Sequence, residues 1–553
     1  MPTNTYDLIV IGDDAPGLVA ATLCARRGLR VLLARTAPHP ARYRAGPYDL
    51  PTAPLTLPGL GGPAARRVVD ELHLQHTLKR RLVEGEPSFQ LAGPDIRLDV
   101  TADEVDLARE LARELGDGAV ATRGGGELGG GQRQGEGEGE GEGEGEGKGS
   151  AAEGGASGRG ASGDGGPQRE PGERRGRSAF ELCERAGALS RLIDPMFAQD
   201  IAVPPTGFWE RRELGRTAGR LAEESASWER AAEKDARISA LTTLPALFGG
   251  HLGGDSLTPQ ARARCFDLWR KGAPRLTGDW DTLREILLDK FKSQGGEVRH
   301  VSPSELLFGW GRVTGLRLAD GEELGAKHFL AALPVAELAG LFGDKPPKRL
   351  RQLTSSIEPA GQLYTLNLVV SEAGIPEGMG RLLFAVRDFD APLTGANALA
   401  LHVGEPDASA RVVVTAQAIC GEPDDGRAPN AALAELGQSV RSAVEEVMPF
   451  VSRHLLLSHS PNEPGDQGVE CDLKAPVPAP PLWRIPPDDG ALGVGLLPYN
   501  VGIRQLTLAC SQVLPGLGFE GDLVAGWCAA KLACAATGKK KEGAQGDLLV
   551  GAS

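Results

Sequence analysis

Residues 6–35 constrain this chain more than any other stretch. Tyr6-Asp7-Leu8-Ile9-Val10-Ile11 is an almost continuous apolar run, as in a strand buried on both faces of a parallel sheet. Gly12-Asp13-Asp14-Ala15-Pro16-Gly17 follows as a tight turn. Residues 18–27 read as a helix, with Ala20, Ala21 and Ala25 where a helix must lie close on a sheet, and Gly28 ends it. Residues 29–34 are a second apolar run. Strand, glycine turn, helix and strand form a βαβ unit of the dinucleotide-binding kind, in which the helix N-terminus offers unpaired N–H groups to a pyrophosphate. The expected class is α/β.

The turn departs from the Gly-x-Gly-x-x-Gly pattern. Gly12 and Gly17 stand, but Asp14 occupies the middle position, where a glycine lets backbone approach the phosphates. Asp14 reads as a helix cap or the mark of a lost phosphate site, ahead of a catalytic acid. The second strand ends in Arg35, where an acid would bind a ribose hydroxyl. Arg35 reads as a solvated strand-end residue, with a 2′-phosphate contact, and hence NADP, as the lesser reading.

A chain of 553 residues has room for two or three domains. Its net charge of −14 argues against non-specific nucleic-acid binding. The eight cysteines are scattered singly, so neither a zinc site nor a disulfide framework is expected. His73 and His76 sit three apart without a third ligand nearby, and a solvated helix face is expected there. No signal-peptide pattern opens the sequence and no run of about 18 apolar residues occurs. The expectation is a cytoplasmic protein without a transmembrane segment, with peripheral membrane contact left open.

Residues 36–63 form a proline-containing loop, and 64–78 has helical spacing. Residues 116–177 hold a Gly-Glu repeat and almost no large apolar side chains, so a disordered insertion is expected. Helices are expected at 180–192, 209–221, 226–240 and 259–269. Trp209, Trp228, Trp269 and Trp280 are expected in core or interface packing rather than lining a tunnel. A helix at 281–294 precedes strands at 297–301, 304–308, 312–318 and 322–331, with Ala319-Asp320-Gly321 as a hairpin turn. Strands at 363–370, 381–386, 398–402 and 411–418 suggest a second sheet. A helix at 430–447, a strand at 506–509 and a helix at 521–536 close the pattern.

In that order the chain resembles the FAD-dependent oxidoreductases that include phytoene desaturase-like enzymes and flavin amine oxidases. Three segments carry the resemblance: residues 6–35; residues 278–334, with Gly-Gly-Glu-Val-Arg at 295–299, Leu-Ala-Asp-Gly-Glu at 318–322 and a closing Ala-Ala-Leu-Pro; and residues 506–533, with Leu-Pro-Gly-Leu-Gly-Phe-Glu-Gly at 514–521. The resemblance implies a Rossmann-type FAD/NAD(P)-binding domain (1–63, 275–345 and 491–538) interleaved with a mixed α+β substrate domain (64–115, 178–274 and 346–490), and a flexible tail at 539–553. It implies FAD as cofactor and an apolar small-molecule substrate. The cofactor-site candidates are Gly12, Asp14, Ala15, Pro16, Gly17, Arg35, Ser304, Ser511, Gly516 and Gly521. Ser304 stands where the family often places a valine against the adenine. Cys510-Ser511 stands where it places a Gly-Asp on the flavin's sugar chain. Cys510 by itself reads as a small buried apolar residue. The expected function is hydride or hydrogen transfer between substrate and flavin. The alternative is a non-catalytic relative that has lost FAD and binds a ligand or protein; no catalytic residue is singled out.

Overall fold

The computed structural model describes residues 4–35, 40–116, 171–421, 429–464, 467–486 and 497–538. Strand β1 (Asn4–Ile11), helix α1 (Ala15–Arg26) and strand β2 (Val31–Arg35) are the expected βαβ unit. Leu8 to Ile11 are fully buried, because β1 runs between two parallel neighbours: Ile11 pairs with Ala331 on one side and Ala34 on the other. This seven-stranded sheet has the order Pro303–Gly309, Arg312–Leu318, Glu323–Ala331, β1, β2, Glu297–His300, with Leu506–Leu508 also paired to Glu323–Ala331. It therefore gathers strands from three distant stretches of the chain.

Helix α1 is buried along Pro16–Ala25, since the sheet lies on one side and the C-terminal helix Gly518–Ala536 on the other. Glycine makes both approaches possible. A Cβ on Gly17 would sit 2.0 Å from Ala332 Cβ, and one on Gly526 would sit 2.6 Å from Pro16 O. Gly12 has φ +95 and touches the Ala332 carbonyl where a Cβ would fall.

The second sheet has eight strands, ordered Leu455–His459, Glu358–Ser371, Arg411–Cys420, Ala398–Val403, Leu382–Val386, Phe89–Ala92, Arg97–Val100, with Pro481–Arg484 also on Glu358–Ser371. A hairpin, Arg42–Ala45 with Tyr48–Pro51, docks against it. Asn367 Nδ2 donates to Pro51 O at 2.8 Å, and Tyr43 Oη lies 2.9 Å from His459 Nδ1. The sequence reads 36–63 as loop, because strands this short take their stability from partners more than 300 residues away.

Four long helices, Pro171–Ala198, Phe208–Ala232, Ala236–Gly249 and Pro259–Arg270, form the helical block. The first begins inside the span expected to be disordered; residues 117–170 of that span, and the tail from 539, lie outside the described residues. The expected helices 209–221 and 226–240 are regrouped, since nothing interrupts Phe208–Ala232 and the break falls at 233–235. Residues 64–78 divide into Pro63–Leu72 and Gln75–Lys79 at His73, whose φ of +54 ends the first helix. His73 lies 2.8 Å from an Arg26 nitrogen. Among the described residues no group of metal-binding side chains forms, and all eight cysteines are free thiols.

Trp228 is fully buried, its indole N–H donating to Leu182 O at 3.0 Å, and Trp269 is buried as well. Trp280 is partly buried, its ring under Arg284. Trp209 is not in the core: it is 74% exposed, beside Phe208 at 72%. Among the described residues no helix is long and apolar enough to cross a membrane.

Candidate cofactor site

The candidate site lies at the carboxyl ends of β1 and β2, where an open parallel sheet takes its ligand in a crevice, beside the turn at 12–17 and the start of the C-terminal helix. Its side chains form two linked clusters. On the β2 side, Arg35 is 3% exposed rather than solvated. Its guanidinium stands 3.1 Å from Asp13 Oδ2, with Arg284 Nε 3.7 Å from the same oxygen. Arg284 also holds Asp281 at 2.6 Å.

On the other side stand Asp14, Asp522 and His251. Asp14 occupies the cap position of α1 but makes no capping hydrogen bond through its side chain, contrary to the cap expectation. Instead the Ser511 N–H donates to Asp14 Oδ2 at 3.5 Å. His251 Nε2 is 3.6 Å from Asp522 Oδ2, too far for a direct hydrogen bond.

Burial and the neighbouring Asp522 carboxylate push Asp14 up to about 7, with Asp13 adding and the Ser511 N–H and His251 opposing. Burial alone would lower His251, but the Asp522 and Asp14 carboxylates lift it above its ordinary value. Asp13, Asp281 and Asp522 stand beside Arg35, Arg284 and His251. A proton on Asp14 removes one negative charge from this cluster, and its loss restores it.

The remaining sequence candidates are mostly structural. Pro16 is buried in the first turn of α1 and Ala15, at its start, is partly exposed. Gly516 is buried, its carbonyl accepting from the Cys265 thiol at 3.4 Å. Gly521 has no room for a Cβ, which would fall 2.3 Å from Leu514 O. Cys510 is fully buried. Ser304 is not brought to the crevice: it is exposed, and its hydroxyl donates to Arg317 O at 3.0 Å. Val301 is the residue at the β2 end, its N–H donating to Arg35 O at 2.9 Å.

Sequence reasoning missed His251, Asp522 and Arg284. They lie hundreds of residues from the turn, and no local motif marks them. Glu520, also unmarked, is 1% exposed and takes two hydrogen bonds from the equally buried Arg264, at 2.5 and 2.8 Å. Arg264 also meets Asp194 at 2.7 Å.

The full-length architecture matches solved structures at low identity. Cyclohexylamine oxidase from Brevibacterium oxydans IH-35A is 13% identical, with 96% of this chain and 99% of that chain covered at a TM-score of 0.54. A wild-type putrescine oxidase bound to putrescine gives 13%, 96%, 99% and 0.53. The chain has the flavin amine oxidase fold. An oxidoreductase from Methanosarcina mazei is similar too, at 11% identity, 95% and 99% coverage and a TM-score of 0.52. No protein-family model matches the sequence, and no curated relative matches it.

The flavin amine oxidase fold implies FAD, and orphaned polar atoms of the crevice test the fit. Arg35 Nε is buried with no hydrogen-bond partner among the described residues, and Arg284 Nε and His251 Nε2 have only long contacts, to Asp13 at 3.7 Å and to Asp522 at 3.6 Å. Buried donors of this kind favour an anionic ligand, because leaving them unpaired is costly. Asp13 Oδ2 and Asp522 Oδ1 are likewise without hydrogen bonds, but each carboxylate has a cation beside it. The residues fit an anionic dinucleotide in the state where Asp14 carries its proton.

Proposed function

We propose that this chain is an FAD-dependent oxidoreductase acting on a small molecule. The observation that carries the reading is the cluster beside the start of α1: Arg35 and Arg284 stand on Asp13, His251 lies beside Asp522, and burial with Asp522 pushes Asp14 up to about 7. Acceptance of hydride or hydrogen from the substrate is the chemistry FAD supplies when bound. The chain's own part is binding and orientation. Gly12 and Gly17 keep α1 seated on Ala332, which aims its N-terminus at the crevice. Protonated Asp14 donates a hydrogen bond where the ionised form would repel a phosphate. Arg35, Arg284 and His251 supply N–H groups that make no hydrogen bond within the protein, each beside a carboxylate.

A cavity of about 660 Å³ lies between the loop at 59–63 and the end of the helix Pro259–Arg270, lined in part by Gly61, Gly62, Arg66, Glu84, Arg264 and Lys271. Its volume suits a small molecule. Charged groups of both signs along the wall favour a substrate with polar substituents over the wholly apolar one read from the sequence.

The second reading, a non-catalytic relative that binds a ligand or protein, is favoured by one contact. The Asp14 carboxylate already engages the Ser511 N–H, a backbone donor of the crevice.

The visible absorption spectrum after incubation with FAD and gel filtration separates the two. A retained flavin spectrum at pH 6 supports the oxidoreductase. A colourless protein at every pH between 5.5 and 8, for both the parent and Asp14→Gly, overturns it.

A further inference from the structure

The exposed pair Phe208 and Trp209 opens the helix Phe208–Ala232, edge to face with ring centroids 5.6 Å apart. Neither ring is used by the core or by the cofactor crevice. Residues 208–220 hold four arginines and two glutamates on a chain of net charge −14. Arg211 and Arg212 are exposed, and the Arg212 guanidinium lies 5.9 Å from the centroid of the Trp209 ring. Glu210 is turned inward, accepting from the Ala202, Thr206 and Gly207 N–H groups and the Thr206 hydroxyl, so its charge is withdrawn from the tip.

Along the same helix a groove of about 240 Å³ separates it from Pro171–Ala198. Leu192, Met196 and Leu214 line its floor, with Arg191, Arg216 and Arg220 among its walls. Glu213 and Glu224 neutralise Arg216 and Arg220. Arg191, Arg211 and Arg212 form no ion pair with a carboxylate among the described residues.

We propose that this tip docks on an anionic phospholipid surface, with Phe208 and Trp209 entering the headgroup boundary and Arg211 and Arg212 meeting phosphates. Aromatic rings beside arginines match the chemistry of that boundary: one part apolar, the other negatively charged. The local positive charge runs against the sign of the chain as a whole, which is the complementarity an anionic leaflet needs. The inference is independent of the cofactor reading.

Co-sedimentation of the full chain with phosphatidylglycerol vesicles, against phosphatidylcholine vesicles, tests it. Binding to the first at least tenfold tighter is expected, weakening as salt rises. The double variants Phe208→Ser with Trp209→Ser, and Arg211→Glu with Arg212→Glu, should each lose tenfold or more with unchanged thermal unfolding. All four positions are exposed, so the fold does not depend on them. Absence of binding to phosphatidylglycerol vesicles, or binding that both double variants retain, overturns the proposal. So does concentration-dependent self-association without lipid that the Trp209 variant abolishes, since a second copy would then cover the tip.

Discussion

Asp14 shows how one residue's meaning depends on its neighbours. By itself it places a negative charge beside two phosphates. In the structure it faces Asp13, Asp522, His251, the Ser511 N–H and the Cys510 thiol, and burial with Asp522 raises it to about 7. Its unfolded value is about 3.9. Between those values the folded chain holds a proton that the unfolded chain has lost. The group's contribution to stability therefore falls as pH rises from about 4 to about 7, and stays lost above. Asp14→Asn removes that cost. Its urea midpoint should exceed the parent's at pH 8 and match it near pH 4, with a gain below about 4 kcal/mol because the side chain still touches solvent. FAD retention should follow the same proton: about tenfold weaker at pH 8 than at pH 6 in the parent, and level in Asp14→Asn. Equal affinities in the parent would sink the protonated-Asp14 account. Arg264 makes a different case. Arg264→Met strands Glu520 in the interior, and a loss of about 3–5 kcal/mol is expected in urea unfolding. A change under about 1 kcal/mol would mean water reaches that pair.

Among elements, the legible ones carry their pattern in consecutive residues. The apolar run of β1, the alanines of α1 and the Asp320-Gly321 turn all marked structure that formed. Elements stabilised from afar are not legible: the hairpin at 42–51 leans on Asn367 and His459, through Pro51 and Tyr43. The sequence divides the helix at 208–232 in two, because residues 222–227 hold no large apolar side chain. Seating of α1 depends on Gly17. Gly17→Ala should lower the midpoint of thermal unfolding sharply, since its Cβ would meet Ala332 Cβ at 2.0 Å. Gly61→Ala, which meets nothing within 4 Å, is the control and should leave the midpoint unchanged. Trp228→Ala should cost about 3–5 kcal/mol, because the ring is fully buried and its N–H is bonded. A smaller loss would show that the neighbouring helices close over the gap.

Across the whole molecule, the first sheet is assembled from strands at 4–35, 297–331 and 506–508, and the last helix covers α1. A chain ending at Leu517 should therefore lose the cover of α1 and unfold without a cooperative transition by circular dichroism. A sharp transition would show that the rest is stable alone. The sequence by itself determined the α/β class, the βαβ unit and the glycines of its turns, because these depend on residues near one another and on backbone geometry. Only the tertiary structure decided the character of the crevice. Whether a carboxylate repels a ligand depends on the charges around it, and Arg284, His251 and Asp522 reach Asp13 and Asp14 only through the folded chain. The same holds for Trp209, since whether a large ring is core or surface is set by what packs against it.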